Sequence, residues 1–261
     1  MSVSSIARKA AKGAVLPAGF VRRRRPDDLA ILLYHRVGPG GGEIELDPAV
    51  FDSQMATVAS SGRACSLDDA LGNPGGGGLV VSVDDGFRDF YDTVLPTLIR
   101  HGVPAILYLA TGFVEGQEHT STSALTWSQL KECVESGLVT VGAHTHSHCD
   151  LSRATDVEAE REMRTSKGLI EDHLGVECKH FAYPWSYSSP GAELAARSIF
   201  ASAALNWNTN RRGRFDVHEL GRTPVLRSDS PMFFKAKVDG ALDAEAFLYR
   251  VARRGPWKRP S

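Results

Sequence analysis

Short apolar segments and longer amphipathic ones alternate almost from end to end of this chain, and that rhythm constrains its fold more than any other feature. Runs rich in Leu, Val, Ile and aromatic residues occur at Leu29–Val37, Leu79–Val83, Ala105–Ala110, Val139–Ala143, His180–Pro184, Ala201–Asn206 and Glu219–Leu226. Each has the length of a strand buried on both faces. Between them the spacing of apolar residues is helical, over Pro48–Ser61, Asp89–His101, Trp127–Ser136, Asp156–Leu174, Pro190–Phe200 and Pro231–Asp239. Asp156 reads as an N-cap, and Gly102 and Gly137 stand just past helix ends. Strands that alternate with helices pair in parallel and carry the helices outside. About seven of them in one domain predict a closed or nearly closed, distorted (β/α) barrel. With 261 residues, 42% of them hydrophobic, there is material for one such core and little for a second.

The barrel is expected over residues 29–245, between a basic arm (1–28) and a C-terminal tail (246–261). The arm carries Arg8, Lys9, Lys12, Arg22, Arg23, Arg24 and Arg25 and no acid before Asp27. Lys, Gly and Pro interrupt every apolar run in it, so it does not read as a secretory signal. A cytoplasmic protein is the expectation, with the arm able to rest on anionic lipid at the inner membrane face. The whole chain is near neutral, with 30 basic against 31 acidic side chains, and nothing directs it toward nucleic acid. Cys65, Cys133, Cys149 and Cys178 lack any CxxC spacing and read as reduced thiols. Asn73–Gly78, NPGGGG, reads as a linking loop.

Two strands run into titratable groups. The segment LVVSVDDGF, Leu79–Phe87, ends in Asp84 and Asp85 before Gly86. In a regular strand these acids face opposite ways, so both reach one cleft only if the chain turns there, which Gly86 permits. Two adjacent carboxylates repel, and a bound cation would relieve that while leaving one of them free to act as a base. The segment VGAHTHSHCDL, Val141–Leu151, supplies His144, His146 and His148, a density unlike that of core histidines. Neutral imidazoles suit a borderline divalent metal, and either the pair His144 and His148 or the pair His144 and His146 can converge on one ion.

In these motifs the chain, from about Leu29 to Asp243, resembles the metal-dependent polysaccharide deacetylases of carbohydrate esterase family four. The resemblance implies that Asp84 is the base, that Asp85, His144 and His148 hold the metal, and that His146 is a neighbour. Zinc is the first choice, cobalt or nickel the alternatives. HFAYPWSY, His180–Tyr187, is similar to the family's third motif and implies that the Trp185 N–H helps hold the oxyanion. Many members place an arginine in this segment to pair with the base. Ala182 stands there instead, and Arg222 is the candidate replacement. No histidine follows His218, whereas ILLYHRV closes its strand with His35. That arrangement resembles the permuted poly-N-acetylglucosamine deacetylase branch and implies that His35 is the acid.

The function so implied is hydrolysis of N-acetyl groups from an amino-sugar glycan, or from a lipid-linked or nucleotide-linked precursor. Trp127, Trp185, Tyr187 and Trp207 are candidate sugar platforms. Two alternatives stay open: a small-molecule amidohydrolase using His144-x-His146, and a catalytically silent carbohydrate-binding barrel. Cys149 favours the silent barrel slightly, because it stands where the family often has proline.

Overall fold

The computed structural model describes residues 28–72, 77–116, 124–206, 210 and 215–239. All but the last residue of the arm, the C-terminal tail, most of the NPGGGG loop and Trp207 lie outside them.

Seven parallel strands close into a single-domain barrel. In chain order the elements are β1 (Leu29–Tyr34), β2 (Arg36–Val37), β3 (Glu45–Leu46), α1 (Pro48–Ser60), α2 (Leu67–Gly72), β4 (Gly78–Asp85), α3 (Leu95–His101) and β5 (Ala105–Leu109). They continue with α4 (Trp127–Glu135), β6 (Val139–Ala143), α5 (Asp156–Leu174), β7 (His180–Ala182), α6 (Pro190–Ile199), β8 (Ser202–Asn206), β9 (Leu220–Pro224) and α7 (Pro231–Val238). The barrel order is β1, β4, β5, β6, β7, β8, β9, closed where Leu32 and Leu33 of β1 pair with Thr223 and Pro224 of β9. β2 and β3 form a small separate ribbon.

The strands are largely apolar because both of their faces are covered. Alternate residues divide between two cores. Leu29, Ile31, Val80, Ile106, Tyr108, Ala182, Ala204 and Leu220 fill the barrel, while Ala30, Leu32, Tyr34, Val81, Val83, Leu107 and Leu109 pack outward among the helices. Following the inward register of β4 from Val80 through Ser82 brings Asp84 to the inside of the barrel at its C-terminal mouth.

Several expectations are corrected in detail. Thr155, not Asp156, caps α5: its hydroxyl accepts from Glu158 N at 3.3 Å while the Glu158 carboxylate accepts from Thr155 N at 2.9 Å. The extended residue one position earlier is the one whose side chain reaches back over the first turn, which leaves Asp156 within the helix. The Leu29–Val37 segment breaks at His35, so Arg36 and Val37 join the outer ribbon instead of the barrel. The helix expected from Asp89 opens as a π-type turn over Phe90–Val94, just ahead of Pro96, which has no N–H to give a regular turn. The six-residue α2 was too short to show a helical period.

Candidate active site

β4, β6 and β7 deliver their candidate residues to the mouth by leaving regular geometry. Among the described residues, the non-glycine positions with positive φ are Asp85 (81°), Thr145 (62°), His148 (55°), Trp185 (50°) and Ser186 (58°). Each sits just where a strand ends at this one face. Such conformations cost on the order of 1–3 kcal/mol each and persist only when the surroundings impose them. The turn at Asp85, continued by Gly86 at φ 92°, brings its carboxylate round to the side of Asp84.

Asp85, His144 and His148 converge, each offering a ligand atom within 4.8 Å of the others. Asp85 Oδ1 lies 3.7 Å from His144 Nε2 and 3.3 Å from His148 Nε2. The Phe113 and Trp185 rings flank His148, with centroids at 5.6 and 4.3 Å. Trp185 is itself 54% exposed and forms the rim.

These residues fit a divalent cation on three counts. The His144 Nδ1–H donates to the Ala182 carbonyl at 2.7 Å, which fixes the tautomer and leaves Nε2 as a bare lone pair. Burial pushes the His144 pKa down to about 4, so the ring is neutral near pH 7. Its lone pair then faces Asp84 Oδ2 and Asp85 Oδ1, both at 3.7 Å, an array of acceptors that only a positive charge can reconcile. Finally, Asp85 Oδ1 is buried without a hydrogen bond of acceptable geometry. Burial raises the Asp85 pKa, but His148, His35 and His144 outweigh it and hold the carboxyl below its usual range. One carboxylate and two imidazoles form a donor set suited to zinc and its neighbours.

Asp84 has a different environment. The Arg222 Nη1–H donates to Asp84 Oδ1 at 2.6 Å, and both side chains are almost fully buried. Arg222 enters from β9 with its guanidinium carbon 5.2 Å from the Tyr108 ring centroid. Oδ1 is thus held by the arginine while Oδ2 faces the ligand cluster. His35, in the break after β1, is half-buried and close enough to bias Asp85 electrostatically. His146 takes no part in the cluster, since its Nδ1 is 3.0 Å from the Thr111 hydroxyl. Trp127 stacks on His173, with ring centroids 4.1 Å apart.

Sequence reasoning missed Glu162, whose Oε2 accepts from the N–H groups of His146 and Ser147 at 3.0 and 2.8 Å. A signal was present: Glu162 falls in phase with Ala159, Met163, Ser166 and Ile170 on the buried stripe of α5, where an acid is out of place unless it is partnered.

Residues 72–199 match the polysaccharide deacetylase family. YxkH of Bacillus subtilis is 23% identical over 174 residues, covering 64% of this chain and 60% of that protein. The poly-β-1,6-N-acetyl-D-glucosamine N-deacetylase of Staphylococcus aureus is 23% identical over 113 residues, covering 40% of this chain and 39% of the enzyme. The chain therefore spans less than two thirds of the length of these curated relatives. Among solved structures, IcaB from Ammonifex degensii superposes with a TM-score of 0.72 at 25% identity, covering 85% of this chain and 99% of that one. The Streptococcus pyogenes deacetylase PplD shares the fold, with a TM-score of 0.72 at 24% identity, covering 82% and 99% of the respective chains.

Proposed function

Since the chain belongs to the polysaccharide deacetylase family, we propose that it hydrolyses N-acetyl groups on an amino-sugar glycan or its precursor, with a divalent ion, zinc first, held by Asp85, His144 and His148. The observation that carries this is the convergence of the His144 lone pair, His148 Nε2 and the unsatisfied Asp85 oxygen on one point. Bound there, such an ion would polarise the acetyl carbonyl and acidify water.

The rest of the chemistry belongs to the chain's own side chains. Asp84 Oδ2 takes a proton from the attacking water, and Arg222 on Oδ1 keeps that carboxylate aimed. The Trp185 N–H, in its left-handed turn, supports the developing oxyanion. His35 gives a proton to the departing nitrogen, so base and acid are separate groups. Water adds across the amide, releasing acetate and leaving a free amine on the sugar. The exposed Trp185 ring offers a face to a pyranose. That His146 is engaged by Thr111 weighs against the amidohydrolase alternative.

A poly-N-acetylglucosamine-like polymer is the first substrate to try, given what the Staphylococcus relative acts on. Lipid-linked and nucleotide-linked N-acetylamino sugars come next. Cytoplasmic placement, with the basic arm at the inner membrane face, rests on composition alone. No helix among the described residues is long and apolar enough to cross a membrane.

The test is acetate release from N-acetylglucosamine oligomers and from the linked precursors, with zinc and with chelator. Release from at least one substrate, lost on chelation, is expected. A zinc-binding protein that releases acetate from none of them would be a silent sugar-binding barrel, and release that persists in chelator would remove the metal from the reaction.

A further inference from the structure

The loop from His144 to His148 must fold back sharply enough to bring both imidazoles to one point. It does so with Thr145 and His148 in the left-handed region. Between these residues, the successive N–H groups of His146 and Ser147 point the same way and make the kind of concavity that receives an anion. The occupant is internal. Glu162, 9% exposed on α5, places Oε2 at 3.0 Å from His146 N and 2.8 Å from Ser147 N. The opposite side of the loop is fixed as well: Gly112 N donates to the His146 carbonyl at 2.8 Å, and the Thr111 hydroxyl meets the His146 ring. A side chain at position 112 would not fit, since its Cβ would lie 2.8 Å from that carbonyl oxygen.

The geometry points to Glu162 as the positioning residue of the ligand loop: its carboxylate clamps the His146 and Ser147 amides, holds the left-handed bends, and so sets how tightly His144 and His148 take a metal. This rests on the reading of Asp85, His144 and His148 as ligands. Glu162 touches none of the ligating atoms. It acts as a partner one step behind the ligands, and loss of such a partner weakens metal binding about 10–100-fold. Without it, two half-buried N–H groups lose their acceptor, and only the contacts from Gly112 and Thr111 still oppose relaxation of the strained backbone.

The same helix offers a control. Glu171 Oε1 accepts from Cys178 N at 3.0 Å and pairs with Lys167, but it sits at the far end of α5 from the ligand loop. Zinc affinity of metal-free protein, measured by competition with a chromophoric chelator and checked for folding by circular dichroism, separates positioning from general support. Glu162→Ala is expected to weaken zinc binding about 10–100-fold. Glu162→Gln should give an intermediate loss, because a neutral acceptor makes roughly half as strong a bond. Glu171→Ala should lower the melting temperature and leave zinc affinity at the wild-type value. Wild-type affinity in Glu162→Ala, or an equal loss in Glu171→Ala, overturns the assignment. If Glu162→Ala does not fold, unchanged affinity in Glu162→Gln overturns it. A wild-type protein that takes up no zinc overturns the reading of the site and this inference together.

Discussion

His144 and His180 are equally buried, each 2% exposed, and flank neighbouring barrel strands, yet they are treated in opposite ways. His180 lies at the N-terminal floor. Its Nδ1 meets the Ser202 hydroxyl at 2.8 Å and its Nε2 meets Asp68 of α2 at 3.3 Å, so both ring nitrogens are partnered. His144 lies at the mouth, with one nitrogen bonded to Ala182 and the other facing carboxylate oxygens that cannot donate to it. The floor histidine is satisfied at both nitrogens, whereas the mouth gathers the left-handed non-glycine residues and the unsatisfied Asp85 oxygen. One fold thus pairs its buried histidine at one end and gathers acceptors that cannot satisfy one another at the other, the division of labour expected of a β/α barrel.

The largest effect that would break this comparison is removal of a ligand. Asp85→Ala or His144→Ala should abolish both zinc uptake, read as metal content after dialysis, and acetate release. His180→Ala should lower the melting temperature but keep its zinc. If His180→Ala lost the metal as completely as Asp85→Ala, the two ends would not be independent.

Next in size is the Arg222–Asp84 pair. Both partners are buried, so Arg222→Met leaves a carboxylate without its counter-charge and should destabilise the protein by about 3–5 kcal/mol in urea unfolding. Adding Asp84→Asn removes the stranded charge and should recover much of that loss, with acetate release absent in both variants. Failure of the second change to restore stability would mean that the cost came from lost packing around Tyr108 and not from electrostatics.

These two experiments separate what was legible in the sequence from what was not. The acids and the histidine cluster could be read because each ends a run of buried strand residues, a local pattern. The barrel could be read for the same reason, strand by strand. Which two of the three histidines converge could not be read from spacing, because the choice depends on the left-handed bends at Thr145 and His148 and on Thr111 drawing His146 away. Arg222 and Asp84 are 138 positions apart, and His180 and Asp68 are 112 apart, so only closure of the barrel brings them together. Glu162 looked like one acid among many on α5, although its phase on the helix set it apart. The cap at Thr155 differs by one position, a shift that depends on backbone dihedrals at the helix start.

The smallest effect belongs to the floor, and its sign can be worked out. Burial lowers the His180 pKa, Lys179 pushes the same way, and Asp68 and Glu177 oppose them. The folded value therefore lies below that of the unfolded chain, about 6.5. The unfolded state binds more protons in that interval, so this contribution to stability is complete above about pH 6.5 and is lost as the pH falls through the folded value. His144 adds to the same slope, with its pKa depressed to about 4. His180→Gln in chelated, metal-free protein should therefore flatten, without removing, the fall in unfolding free energy between about pH 7 and pH 5. Asp68→Asn removes a group that resists the depression and should steepen it. If both variants kept the wild-type slope, the floor histidine would contribute nothing to the acid sensitivity of the fold, and that sensitivity would belong to the mouth alone.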